Sequence, residues 1–232
     1  MTNLSKAFKG AKVLITGHTG FKGSWLAIWL YSLGADIYGI SNGIVSIPSH
    51  YEATQLKKKI TNFSIDIRDR EKLKNTIQKI QPDYIFHLAA QSLVSKSYEE
   101  PHLTWETNTI GTLNILESIK SLDKKCVAIL ITSDKCYENV EWIYGYREND
   151  KLGGIDPYSA SKAGAEIVIN SYIRSFFKDN QKIRIGVARA GNVIGGGDWA
   201  VNRIVPDCIK AWKENKTVYL RSPNSTRPWQ HV

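Results

Sequence analysis

The stretch that decides the fold is KVLITGHTGFKG, residues 12–23. Its first five residues are rich in aliphatic and β-branched side chains and predict a short strand, and the segment that follows, residues 24–33, predicts a helix. The glycines between them let the backbone turn tightly and approach a pyrophosphate, whose charge the helix N-terminus stabilises. GxxGxxG alone also occurs in turns that bind nothing, so the strand and helix on either side carry the prediction of a dinucleotide-binding turn.

The same alternation of strand and helix continues along the chain. Further strands are predicted over residues 36–40, 62–65, 84–88, 126–132 and 183–189, and helices over residues 70–80, 101–120 and 158–178. The uninterrupted apolar strand over 126–132 is typical of a parallel sheet covered on both faces. We therefore predict an α/β protein with a Rossmann-like, doubly wound parallel sheet.

After Arg189 the pattern changes. Residues 190–199 are predicted to be a loop, followed by a short helix near residues 206–213 and a strand over residues 218–220. We expect residues 1–190 to form the dinucleotide-binding domain and residues 191–232 to begin a smaller substrate domain that is cut off at Val232.

Composition narrows the functional classes. The 232 residues are 42% hydrophobic and 23% charged, as expected for a globular protein. The net charge of +9 suits an anionic ligand, but the lysines are scattered and no arginine-rich tract predicts nucleic-acid binding. Three cysteines without a CxxC pair predict neither a disulfide framework nor a metal site. No signal peptide or membrane span is recognisable, so we expect a cytoplasmic protein.

A second motif, DPYSASK at residues 156–162, places Tyr158 and Lys162 on one face of a helix. A neighbouring ammonium favours the phenolate, so Tyr158 would exchange a proton with a sugar hydroxyl near working pH. YxxxK by itself is also compatible with an ordinary exposed pair. The strand over 126–132, however, delivers Ser133, Asp134 and Lys135 to the same sheet edge, as a hydroxyl, an acid and a base.

The adenosine side of the turn is less regular. Ser41 follows the second strand where a dinucleotide fold usually offers a carboxylate to the ribose, and no cation follows before Lys57, which favours NAD over NADP. Asp66 is predicted either to cap the next helix or to accept a hydrogen bond from adenine.

Several segments together resemble the extended short-chain dehydrogenase/reductase family, and within it the sugar-nucleotide dehydratases. They are GHTGFKGSWL (17–26), HLAAQ (87–91), TSDKCYEN (132–139), GYRENDKLGGIDPYSASK (145–162), RAGNVIGGGDWA (189–200) and RPWQHV (227–232). The glycine turn and YxxxK identify only the superfamily, whereas SDKCYEN, GGGDWA and RPWQHV are more specific.

The resemblance implies a lyase that uses NAD and removes water from CDP-glucose to give CDP-4-keto-6-deoxyglucose. Tyr158 would take the proton of the 4-hydroxyl, Lys162 would lower the tyrosine pKa and hold the nicotinamide ribose, and Ser133 would orient the 4-hydroxyl. Asp134 would protonate the departing 6-hydroxyl. Lys135, which stands where dTDP-glucose enzymes carry glutamate, would remove the carbon 5 proton as a neutral amine.

The resemblance also implies the remaining contacts. Cofactor-binding residues would be Gly17, Thr19, Gly20, Phe21, Gly23, Asp66, Ile67, Leu88, Ala89, Ala90, Gln91, Tyr158 and Lys162. Asn192, Arg203 and Arg227 would contact the sugar nucleotide, Arg227 through the diphosphate. The family further implies a homodimer with a four-helix interface built from residues 101–120 and 158–178, and a role in lipopolysaccharide or other polysaccharide synthesis.

Two other interpretations stay open at this level. One is a different enzyme of the same family, either an epimerase or a dehydratase for another nucleotide, although Asp134 speaks against a simple epimerase. The other is a noncatalytic dinucleotide-binding protein that keeps the fold, because fold alone does not establish activity.

Overall fold

A computed structural model describes residues 3–232 and, within them, places six strands in one parallel sheet. The strands are β1 Lys12–Thr16, β2 Asp36–Ser41, β3 Thr61–Ser64, β4 Tyr84–His87, β5 Cys126–Ile131 and β6 Ile183–Ala188. Their order is β3-β2-β1-β4-β5-β6, and every neighbouring pair is parallel. The direction of winding reverses between β1 and β4, which opens a crevice at their carboxyl ends. The predicted doubly wound sheet is confirmed.

Helices cover both faces of this sheet. The helices of residues 3–232 are α1 Asn3–Phe8, α2 Phe21–Ser32, α3 His50–Ala53, α4 Arg70–Ile80, α5 Val94–Glu99, α6 Pro101–Trp105, α7 Gly111–Lys120, α8 Pro157–Tyr172 and α9 Ile204–Lys213. A π-helical turn, Glu106–Ile110, joins α6 to α7, and another, Ile173–Phe177, extends α8. The long helices predicted over 101–120 and 158–178 are therefore present, each with a π turn that the apolar pattern did not indicate.

The core lies on both sides of the central strand. Leu14 of β1 faces a cluster with Ile77 of α4 and Leu116 of α7, whereas its neighbours Val13 and Ile15 face α2. All three β1 side chains are fully buried. Because successive side chains of a strand point to opposite faces, a continuous apolar run is what a sheet with two covered faces requires.

Two predictions about local structure were wrong. Helix α2 begins at Phe21 instead of Ser24, because Gly20 is already its N-cap. The strand expected over 218–220 is absent, and β7 Asn192–Ile194 lies inside the expected loop, where it pairs in parallel with β8 Trp229–His231. Strands this short carry too few residues to show a periodic pattern.

Neither a membrane-spanning helix nor a cluster of metal ligands is found in the described part of the chain. Among residues 3–232, no helix combines the length and the apolar character that a membrane crossing requires. In the same part of the chain, no three His, Cys, Asp or Glu side chains are arranged to hold a metal ion.

Candidate active site at the carboxyl ends of the strands

A cleft of about 1420 Å³ opens at the carboxyl ends of the central strands. It brings together nearly all the predicted site residues, namely Gly17, Thr19, Gly20, Phe21, Gly23, Asp66, Ile67, Leu88, Ala89, Ala90, Gln91, Ser133, Lys135, Tyr158, Lys162, Asn192, Arg203 and Arg227. Asp134 is the exception, because it does not line the cleft but contacts two residues that do. Residues distant in the chain thus meet in one place.

The glycine turn needs its glycines for close packing. Gly17 has a positive φ of +73°, and a Cβ there would lie 2.8 Å from the backbone nitrogen of Ala89, at the end of β4. A Cβ on Gly23 would lie 2.2 Å from the carbonyl oxygen of Gly17. Gly20 caps α2 without a side-chain hydrogen bond, so the first N–H groups of this helix are not covered by a capping side chain. The turn is therefore built to hold an anion at a helix N-terminus.

On the adenosine side of the turn, hydroxyl and amide groups take the place of the usual carboxylate. Thr19 Oγ1 lies 2.6 Å from Ser41 Oγ, and Asn42 donates to Asp66 Oδ2 at 3.0 Å. Arg68 donates to Asp66 at 2.8 Å, and these hydrogen bonds lower the Asp66 pKa to about 2. The predicted helix cap at Asp66 is wrong, because α4 starts further on and Asp69 caps it.

Tyr158 and Lys162 both lie on α8 and are 9% and 6% exposed. Helix α8 starts at Pro157 because Asp156 caps it, accepting a hydrogen bond from the Ser159 N–H at 2.9 Å, and because proline suits the first turn of a helix. Burial lowers the pKa of Lys162 to about 8, and the charge of Lys22 acts in the same direction.

The pKa of Tyr158 differs from the prediction. In the protein alone, burial raises it above the usual value, and the Ser133 hydroxyl only partly opposes this. The prediction that Lys162 lowers the pKa considered the charge alone. Removing the phenolate from water outweighs that effect, because α8 buries the tyrosine as deeply as the lysine.

The turn after β5 presents the other three predicted catalytic residues. Ser133 caps the short 3₁₀ turn Asp134–Cys136, and its hydroxyl donates to Asp134 Oδ1 at 3.1 Å. Lys135 Nζ lies 3.3 Å from the same carboxylate oxygen and 3.4 Å from Asn192 Oδ1. The carboxylate and the ammonium group therefore form an ion pair, with about a third of each side chain exposed.

A buried ion pair between Glu166 and Arg189 stabilises the turn after β5. Glu166, one helical turn after Lys162, accepts two hydrogen bonds from Arg189 at 2.9 and 3.0 Å and one from the Thr132 hydroxyl at 2.5 Å. Arg189 also donates to Tyr137 Oη at 2.7 Å. This network joins the ends of β5 and β6 to α8.

The two predicted substrate-side arginines differ in their contacts. Arg203 donates to Asp198 Oδ2 at 2.8 Å and lies 3.5 Å from Ser92 Oγ, so its guanidinium is already held by protein groups. Arg227 donates to the adjacent carbonyl of Thr226 at 2.7 Å.

Lys22 in the cleft and Asn108 behind it were not among the predicted site residues. Lys22 lies inside the glycine turn and lines the cleft, so its position in the motif could have indicated a site residue. Asn108, in the π turn, accepts a hydrogen bond from the Gln91 N–H at 2.9 Å and donates to the Ser161 hydroxyl at 2.9 Å. It positions α8 against the end of β4, and as one of several polar residues in this segment it carried no motif that indicated the role.

The fold and the cleft define the class of the protein, a dinucleotide-binding α/β protein with a hydroxyl, a phenol and a lysine gathered at the cofactor edge. The chain belongs to the GDP-mannose 4,6-dehydratase family, whose model matches residues 14–232. A CDP-glucose 4,6-dehydratase of Salmonella typhimurium is 46% identical to it over 229 residues. That match covers 97% of this chain and 64% of the relative, so the chain spans less than two thirds of the relative's length.

Solved structures confirm the fold. An epimerase of Methanothermobacter thermautotrophicus superimposes with a TM-score of 0.84 at 25% identity, over 99% of this chain and 66% of that protein. A dTDP-glucose 4,6-dehydratase of Streptomyces venezuelae, solved with NAD bound, gives a TM-score of 0.82 at 22% identity, over 94% of this chain and 67% of the other. The second likeness supports the fold alone.

Proposed function

We propose that the protein to which this chain belongs is an NAD-dependent CDP-glucose 4,6-dehydratase, a hydro-lyase that forms CDP-4-keto-6-deoxyglucose. The observation that carries the proposal is the convergence of Ser133, Tyr158 and Lys162 with the glycine turn in one cleft, with the Asp134 and Lys135 pair beside them. The 46% identity to a CDP-glucose 4,6-dehydratase over nearly the whole chain supports the choice of substrate.

The residues present fit NAD. The glycine turn and the uncapped start of α2 would hold its diphosphate, and Asp66, Ile67 and residues 88–91 line the path from adenine to nicotinamide. Arg68, the cation beside the adenosine edge, is neutralised by Asp66, so the edge offers little to the 2′-phosphate of NADP. When bound, NAD supplies the hydride acceptor of the first step and the donor of the last.

In the first step, Tyr158 accepts the proton of the sugar 4-hydroxyl as carbon 4 is oxidised. Ser133 orients that hydroxyl, since it lies beside the phenol at the end of β5. Positive charge that the bound cofactor adds next to Lys162 would favour the Tyr158 phenolate, which the ligand-free protein disfavours. Lys162 itself would hold the nicotinamide ribose.

In the second step, Asp134 and Lys135 eliminate water across carbons 5 and 6. The ion pair already contains the proton that the reaction needs. Moving it from Lys135 to Asp134 gives a neutral amine that removes the carbon 5 proton and a carboxylic acid that protonates the departing 6-hydroxyl. Exclusion of water by bound substrate favours this neutral pair over the charged one.

The proposal also covers the second domain, the location and the oligomeric state of the protein. We propose that residues 191–232 begin the sugar-nucleotide-binding domain, with Asn192, Arg203 and Arg227 as substrate contacts. The protein would act in the cytoplasm, in lipopolysaccharide or polysaccharide synthesis. It would form a homodimer through residues 101–120 and 158–178, on which Trp105, Ile110 and Ile167 are exposed at 41%, 47% and 61%.

The test is mass spectrometry on the full-length protein incubated with NAD and, separately, with CDP-, dTDP-, UDP- and GDP-hexoses. We expect one water to be lost from CDP-glucose alone. Loss from a different nucleotide would overturn the substrate and keep the reaction. Isomerisation without a change in mass would indicate an epimerase, and binding of NAD without any reaction would indicate a noncatalytic binding protein.

A further inference from the structure

A lysine within the glycine turn has no partner in the described part of the chain. Lys22 is the second residue of α2 and lines the cleft between Gly20 and Gly23. Across residues 3–232 it forms neither a hydrogen bond nor an ion pair. Burial, the largest effect, lowers its pKa, because the ammonium group loses water and the nearby carboxylates of Asp134 and Asp198 offset this only in part. The charge therefore lies in the cleft without a direct counter-ion among the described residues.

The surrounding charges leave the site positive. Lys22 interacts electrostatically with Asp134, Lys135, Asp198 and Arg203, and also with Lys162. The two carboxylates of this group are already paired, Asp134 with Lys135 at 3.3 Å and Asp198 with Arg203 at 2.8 Å. The third nearby carboxylate, Glu166, is bound by Arg189.

Lys22 and Lys162 both line the cleft and interact electrostatically, and in residues 3–232 neither forms an ion pair with a carboxylate. Neighbouring cations that are not compensated attract an anion of matching charge. A diphosphate is such an anion, and its oxygens accept hydrogen bonds from backbone N–H groups and an ammonium at the same time. The uncapped start of α2 supplies those N–H groups next to Lys22.

We propose that the Lys22 ammonium group binds a nucleotide diphosphate in this cleft. The assignment deepens the proposed function and rests on it for the identity of the nucleotides, which are the dinucleotide and the sugar nucleotide. Both nucleotides carry the diphosphate group that Lys22 would bind. The charged side chains that interact with Lys22 include Asp134, Asp198 and Arg203. Asp134 and Arg203 are proposed to act on or contact the sugar nucleotide, which favours the sugar nucleotide as the source of the diphosphate.

Calorimetric titration of the full-length protein with NAD, and separately with CDP, tests this. We expect Lys22→Met to weaken at least one of the two affinities by about tenfold or more, as for loss of a charged hydrogen bond, and Lys22→Arg to retain most of it. Loss for CDP alone assigns the sugar-nucleotide diphosphate, and loss for NAD alone assigns the cofactor diphosphate. Unchanged affinity for both ligands overturns the proposal. Lys79→Met, at an exposed lysine of α4, is the matched control.

Thermal unfolding of the ligand-free variants separates binding from folding. Because Lys22→Met removes an unpaired and partly buried charge, we expect its unfolding temperature to equal or exceed that of the wild type. A lower unfolding temperature together with equal losses for NAD and CDP would mean that Lys22 supports the fold, and would overturn the proposal. Binding is measured without turnover, so a protein that binds CDP through Lys22 but dehydrates nothing would disprove only the proposed function.

Discussion

At the scale of single residues, Tyr158, the proposed catalytic tyrosine, lies in a site that opposes its own ionisation. Burial raises the Tyr158 pKa and lowers that of Lys162 to about 8, so each group is pushed towards its neutral form. If Tyr158 acts as proposed, its conversion to the phenolate therefore depends on positive charge that a bound ligand adds to the cleft.

Tyr158→Phe removes the proton acceptor and leaves the packing of α8 in place. We expect the rate of water loss from CDP-glucose to fall by about 10² to 10⁴, as for loss of a general base, while NAD still binds because the glycine turn and Lys162 are retained. Steady-state turnover and calorimetry on the full-length protein measure both quantities. Tyr31→Phe, on the exposed side of α2, serves as the control and should change neither. Full turnover by the Tyr158 variant would exclude this residue as the base.

At the scale of elements, the site depends on how β5, β6 and α8 are held together. The Glu166 and Arg189 pair makes the connection, with side chains that are 2% and 15% exposed. The Thr132 hydroxyl binds the same carboxylate directly before Ser133, so the pair determines where the catalytic turn begins.

Glu166→Gln should lower the free energy of unfolding by about 3 kcal/mol, because it leaves Arg189 buried without its counter-charge. Urea unfolding followed by circular dichroism provides the measurement. Glu214→Gln breaks an exposed pair with Lys216 and should leave the free energy of unfolding nearly unchanged, because solvent screens the pair. Equal effects of the two substitutions would show that the buried pair contributes no more than a surface contact.

At the scale of the whole molecule, His87 makes the centre of the sheet sensitive to acid. It is buried at 3% exposure, and its ring nitrogens lie 2.7 Å from Thr16 Oγ1 and 3.1 Å from Thr112 Oγ1. The Thr112 hydroxyl donates to the Asn108 carbonyl, so its oxygen is left to accept from the histidine Nε2–H. The histidine is therefore neutral, and burial lowers its pKa to about 3.

The folded pKa of His87 lies below the unfolded value of about 6.5, so its contribution to stability is present above that pH and is lost as pH falls towards 3. Between pH 7 and pH 5, we expect His87 to account for a loss of roughly 2 kcal/mol of unfolding free energy. His87→Gln should flatten the pH dependence of the urea midpoint over this interval. His102→Gln, at an exposed position, should leave it unchanged. An equally steep profile for the His87 variant would contradict the assignment.

Much of this molecule follows from local sequence. The six strands of the main sheet, α4 and the glycine turn were predicted to within a residue or so, because apolar periodicity and glycine placement act over short stretches of chain. The parallel order of the sheet then brought Ser133, Lys135, Tyr158 and Lys162 to one edge, and the structure agrees. The site roles of these residues stay predictions.

The sequence by itself determined the doubly wound sheet and the residues that meet at its carboxyl edge. Only the tertiary structure decided the charge balance of the cleft: which carboxylates are already paired, that Lys22 is not, and that burial outweighs Lys162 in setting the pKa of Tyr158. It also decided the pairing of β7 with β8. The physical reason is that desolvation and ion pairing depend on distances between residues far apart in the chain, and no local pattern of side chains encodes those distances.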